Sequence, residues 1–236
     1  MLKADFHLHT ADDPIDSIPH SAYELIDKAS ALGFHALAVT LHDAQYDVAG
    51  VRDYARDRGI VLVPGVERTL HGKHVLLLNF PQEAEQIASF DALADLRRRH
   101  PEGLVVAPHP FFPHRSCLRG LLDRHEPLFD AVEVNAFYLR SIDFNRRAVR
   151  WARAHERPLV GNSDSHRLSM LGTTYSLVDA EAGSDATAIC DAVRGGRVSV
   201  RTRPLAALEA AAYLAKIHSA KRKGVRSAVL AGAAEG

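Results

Sequence analysis

A chain of 236 residues, 47% hydrophobic and 25% charged, is long enough to bury a core without disulfides or a structural metal. Its 29 basic and 29 acidic side chains cancel, so no stable nucleic-acid complex is expected and no acidic tail invites a basic partner. Cys117 and Cys190 stand in no metal or redox spacing, no apolar run reaches the roughly 18 residues of a membrane span, and the start lacks a signal-like apolar segment; a reduced, cytoplasmic protein without a membrane partner is expected.

Taken in chain order, the pattern predicts a strand over 4–9 and a helix over 21–32, where Ser21 and Glu24 have capping-box spacing and Gly33 is the stop. A strand over 36–40 and a helix over 48–58 follow. Strands at 60–66 and 74–80 come next, with LHGK between them as a hairpin turn. The remaining pattern is helix 83–99, strands 104–107 and 131–134, helix 142–155, strands 159–161 and 174–178, and helix 185–194. Alternation of this kind argues for an α/β protein with a mainly parallel sheet, doubly wound or closed into a barrel. Residues 1–203 read as one domain. Residues 204–236 read as an added C-terminal helix with a frayed tail, its basic stretch 216–223 gathered where the helix dipole favours it.

The chain holds 14 histidines, and their positions matter more than their number. His7 and His9 lie in DFHLHT, His42 in TLHD, Glu67 in GVER, His109 in APHP, Glu133 in AVEVNA, and Asp164 and His166 in GNSDSH. Each falls at the C-terminal end of a predicted strand, the edge where ligands gather in parallel α/β folds. On an extended strand, residues i and i+2 share a face, so His7 with His9, and Asp164 with His166, can each reach one ion or two adjacent ions. One histidine at a strand end is more often a hydrogen-bonded structural residue. Two spaced pairs together with His42, Glu67 and His109 point instead to a site for Zn, Mn or Fe(II).

At these motifs the sequence resembles the PHP family, the polymerase-and-histidinol-phosphatase superfamily of metal-dependent phosphoesterases, from residue 4 to about residue 180. The resemblance implies a distorted barrel of seven β/α units holding two or three divalent metals (Zn, Mn or Fe). It implies a first metal on His7, His9, Glu67 and Asp164, and a second sharing Glu67 with His109 and His74. It implies a third on His42, His166 and a loop residue: Asp13 by preference, with Asp12 and His20 as alternatives. A metal-bridging water held by Glu67, Asp164 and His109 would be the nucleophile. His71 competes with His74 for its role. Glu133, Asp5 and Asp43 are expected to support ligands rather than bind metal. Leu41 stands where relatives commonly carry an aspartate, which bears on metal tuning rather than binding.

Arg68, Arg115 and Arg167 flank the motifs and are candidates to grip phosphate. Phe111, Phe112, Phe137 and Tyr138 could stack on a base or pack beneath loops. The leading expectation is hydrolysis of a small phosphomonoester or nucleotide, or of a short phosphodiester. The alternatives are a metal-dependent amidohydrolase, which lacks a lysine bridge here, and a catalytically silent metal-binding module.

Overall fold

The structure, a computed structural model, describes residues 1–212 and 215. Its first sheet has the order β10-β9-β1-β2-β3, from β1 (Leu2–Leu8), β2 (Ala36–Val39), β3 (Val61–Leu62), β9 (Thr174–Val178) and β10 (Val198–Thr202). Here β1, β2 and β3 run parallel, whereas β9 is antiparallel to both β1 and β10. The second sheet has the order β4-β5-β6-β7-β8, from β4 (Gly65–Leu70), β5 (Lys73–Leu78), β6 (Leu104–Ala107), β7 (Ala131–Asn135) and β8 (Leu159–Asn162). Helices α1 (Ala22–Ala31), α2 (Arg52–Arg56), α3 (Phe90–Arg99), α4 (Gly120–Arg124), α5 (Asn145–Ala154) and α6 (Ala186–Arg194) connect and cover them.

Alternation along the strands sorts the core. Leu76 and Leu78 of β5 and Leu104 and Val106 of β6 pack with Leu2, Ala4 and Phe6 of β1, between the sheets. Their neighbours Val75, Leu77, Val105 and Ala107 face the other way, onto Phe90, Leu93 and Leu96 of α3. On the opposite flank, Leu37 and Val39 of β2 pack on Leu25 and Ile26 of α1. Helix α1 begins as its sequence predicts: the Ser21 hydroxyl accepts from the Glu24 N–H and the Glu24 carboxylate accepts from the Ser21 N–H.

The fold is α/β, built on two sheets. Isolated parallel bridges link the sheets at two seams, Leu8 with Ser165 and His42 with Glu67. The expected strand 60–66 is two strands, one in each sheet, because the chain crosses the seam at Val63–Pro64. The hairpin turn is found at His71 and Gly72, both with positive φ (49° and 74°). Strand β10 and helix α4 were not anticipated; VSVRT soon after Gly195 and Gly196 is the signal for the former. The expected helix 83–99 is a 3-10 turn followed by α3. Residues 207–212 of the expected C-terminal helix are helical, and the basic stretch 216–223 lies outside the described residues. Among the described residues no helix is long and apolar enough to cross a membrane.

Candidate metal centre

The C-terminal ends of β1, β2, β6 and β8 meet Glu67, inside β4, and His74, near the start of the antiparallel β5, at one cavity of about 250 Å³ lined by His42, Glu67, His74, His109, Asp164 and His166 among others. Backbone irregularity aims several of them. Between Asp5 and Leu8 the pairing of β1 with β2 slips by one residue. Leu8 therefore joins the core beneath α1 while Phe6 stays in the core between the sheets, and His7 and His9 turn inward. His109 and Asp164, just past β6 and β8, have φ of 30° and 50°, conformations that side chains other than glycine seldom adopt.

Glu67 is the hub and is buried. Its Oε2 lies 3.3 Å from His7 Nε2, 3.5 Å from His9 Nε2 and 3.2 Å from His42 Nε2. Its Oε1 lies 2.6 Å from His74 Nδ1 and 3.2 Å from His109 Nε2. Asp164 Oδ1 stands 3.4 Å from His7 Nε2 and 3.5 Å from His9 Nε2. His7 Nε2, His9 Nε2 and His74 Nδ1 are buried yet make no aligned hydrogen bond. Buried polar atoms almost always find partners, so ring nitrogens facing carboxylate oxygens at these spacings are arranged as donors to a cation. Donor atoms of His7, His9 and Asp164, of His42, Glu67 and His74, and of His9, His42 and His166 each fall close enough to share one ion. The residues present fit divalent metal.

The rears of the rings are held as firmly. His7 Nδ1 is 2.8 Å from Glu133 Oε1, and that carboxylate also accepts from Asn162 Nδ2 and the His109 N–H. Asp13 Oδ2 lies 3.0 Å from His9 Nδ1 and 2.9 Å from His42 Nδ1. Electrostatics follow from this packing. Burial opposes charge on His7, but Asp164, Glu133 and Glu67 outweigh it and hold the imidazole well above its ordinary range. Burial likewise opposes charge on His42, yet Asp13 and Glu67 raise its pKa to about 9. His9 moves the other way, lowered by burial and by the neighbouring charge of His166. Burial would raise Glu67, but His74 and His7 keep it well below the usual carboxylate range. The cluster balances buried cationic rings against buried carboxylates, a balance that cations at the same ring nitrogens would preserve.

Several expectations need correction. Asp13 faces the rear nitrogens of His9 and His42 and accepts from the Ile15 and Asp16 N–H groups, so it orients those rings and shapes the loop. Asp16, missed from sequence, lines the cavity with Oδ2 3.2 Å from His166 Nε2. Only the acid's place in the same loop, in PIDS, hinted at it. Asp12 is exposed and accepts from the Thr10 hydroxyl, and the buried His20 joins none of the potential ion groups. His74, not the turn residue His71, reaches the cluster.

Asp5 accepts from the backbone N–H groups of His7 and Ser163 rather than from an imidazole. Asp43 accepts from Arg68 and the Thr69 N–H. Arg68 alternates with Glu67 on β4 and so points away from the cavity, its guanidinium donating to Asp43 and the Ile87 carbonyl. Arg115 and Arg167 are also not among the lining residues; Arg115 is exposed. The cavity wall is instead Phe112, His114, Ser116, Cys117, Asn135 and Phe137. Phe111 is buried in the core.

An α/β fold with a histidine–carboxylate cluster at its strand ends defines the class. Residues 143–198 match the family model described as PHP-associated. No curated protein sequence matches the chain significantly. A two-domain protein containing a predicted PHP-like metal-dependent phosphoesterase from Bacteroides vulgatus ATCC 8482 has a similar fold. The two are 20% identical with a TM-score of 0.67, over 86% of this chain and 65% of that one. The chain thus spans just under two thirds of that protein. PsfC from Pseudomonas syringae PB-5123 is 19% identical with a TM-score of 0.63, over 94% of this chain and 98% of that one. The lesion-specific endonuclease PfuEndoQ from Pyrococcus furiosus is 17% identical with a TM-score of 0.57, over 84% and 57%. At such identities these likenesses speak for the fold.

Proposed function

We propose that the chain is a metal-dependent phosphoesterase acting on a small phosphomonoester or nucleotide, or on a short phosphodiester, with residues 1–203 as its catalytic domain. The observation that carries this reading is Glu67, whose two oxygens face two separate sets of imidazoles. A carboxylate so placed would be able to hold two cations. His7, His9, Asp164 and Glu67 Oε2 would hold one, and His74, His109 and Glu67 Oε1 the other. His42, His166 and Asp16 are the candidates for a third. The ions would be Zn, Mn or Fe, the metals suited to imidazole and carboxylate together. Divalent cations there supply Lewis acidity toward a phosphoryl oxygen and lower the pKa of water.

The chain's own residues set the frame for that chemistry. Glu133 and Asp13 fix the ring orientations, as partners on the far nitrogen of ligating histidines do. Phe112, Phe137 and Asn135 line the cavity. Its volume, about 250 Å³, suits a small substrate. Among the described lining residues there is no lysine or arginine, so the phosphate charge would be met by the ions rather than by a guanidinium clamp. The seven-unit barrel implied by the family likeness remains our reading of how the two bridged sheets are related.

Elemental analysis of the purified protein, joined to assays on aryl phosphates, dinucleotides and amides, tests the proposal. Two or three equivalents of metal and phosphate release are expected, with His9→Ala and Asp164→Ala folded but inactive. Full activity in both variants would overturn it.

A further inference from the structure

The rears of the imidazoles are not treated alike. Those of His7, His9 and His42 rest on carboxylates: Glu133 for the first, Asp13 for the other two. The rear of His109 rests on a thiol, with Cys117 Sγ 3.5 Å from Nδ1. Cys117 is buried and its position is built rather than incidental. The loop after β6 is closed by the Arg119 N–H donating to the Pro110 carbonyl, and anchored in the core by Phe111 and Leu118. The Ser116 carbonyl, one residue from the thiol, accepts from the His74 N–H. A single loop therefore supports both histidines that face Glu67 Oε1.

Tautomerism gives the contact a consequence. An imidazole binds a cation through a nitrogen that carries no proton, so a ligand at Nε2 must carry its proton at Nδ1. For His109, Nε2 faces Glu67 and Nδ1 faces Cys117. We propose that Cys117 is a positioning residue for His109. It accepts the Nδ1–H hydrogen bond, fixes the tautomer that leaves Nε2 free for metal, and makes the His74–His109 position the more weakly held of the two bridged by Glu67. A thiol sulfur is a weak acceptor beside a carboxylate, so it polarises the N–H less and leaves the ring a poorer donor. The inference rests on the metal-centre reading above.

The test uses the full chain, stripped by a chelator and titrated with Zn²⁺ against a chromophoric competitor. His74→Ala identifies which equivalent belongs to the His74–His109 position. In wild type that equivalent is expected to be the weaker. Cys117→Ala should weaken it by a further factor of about 10 or more and leave the other unchanged. Cys117→Ser, which restores an acceptor, should recover most of the loss. In the loaded protein, nitrogen NMR should show the His109 proton on Nδ1, with a shift that changes in Cys117→Ser. Equal affinities in wild type and Cys117→Ala, with wild type binding two equivalents, would overturn the role of Cys117 alone. Fewer than two equivalents in wild type would overturn the metal centre with it.

Discussion

The two sides of the Glu67 carboxylate are built differently. Facing Oε2, His7 and His9 come from an inward-turned strand of the first sheet, are fully buried, and have carboxylates behind both rings. Facing Oε1, His74 and His109 belong to the second sheet, are partly exposed at the cavity, and depend on one loop for support. The contrast teaches that two sets of imidazoles facing one carboxylate need not be matched sets. The first is buried and heavily countercharged; the second is more accessible, with a thiol behind one of its rings.

The largest effect should come from removing what the sides share. Glu67→Gln leaves His7, His74 and His109 without their common counter-charge, so metal content should fall to one equivalent or none by elemental analysis. Breaking a buried charge pair in this way costs about 3–5 kcal/mol, which denaturant melts of the chelated protein would register. Unchanged metal content would remove the idea of a bridge.

An intermediate effect is expected at Asp13, which serves two rings at once. Asp13→Ala should weaken metal binding about 10- to 100-fold in chelator competition, with the loss on the His9 and His42 side. Loss confined to the His74–His109 equivalent would contradict the division drawn between the sides.

The smallest effect concerns Asp5, which holds backbone beneath the first side. Burial raises its pKa from 3.8 to about 7, against the opposing hydrogen bonds from Ser163 and His7. The folded protein therefore keeps a proton that the unfolded chain has released. Its contribution to stability is fully present below about pH 4 and is lost as pH rises toward 7. In chelated protein, Asp5→Asn should flatten the fall in melting temperature across that window. Identical slopes for variant and wild type would show that the carboxyl is already ionised in the fold.

Much of this was readable in the chain. The strand ends announced His7, His9, His42, His109, Asp164 and His166, because short apolar runs followed by polar residues mark where strands stop; Glu67, expected at a strand end, lies inside β4. Which loop acid faces the cavity was not readable: Asp12, Asp13 and Asp16 are chemically alike, and only the turn capped by Asp13 sets Asp13 behind the rings and Asp16 toward His166. Arg68 misled because adjacency in sequence was taken for adjacency in space, when consecutive residues on a strand face opposite ways. Cys117 carried no signal, since a lone cysteine in a loop has no spacing to recognise.

Composition and periodicity alone determined an α/β protein whose histidines and carboxylates collect at one rim, since strand and helix periods follow from local backbone geometry. The assembled chain decided the rest. The slip in β1 chose which way His7 and His9 turn, and the crossing at Val63–Pro64 divided the strands between two sheets. Closure of a loop set sulfur rather than oxygen behind His109. Those outcomes depend on how separate segments pack, from the His109–Cys117 pair within one loop to the pairing of Asp5 with Leu37, and no helix or strand period encodes which groups a fold will press together.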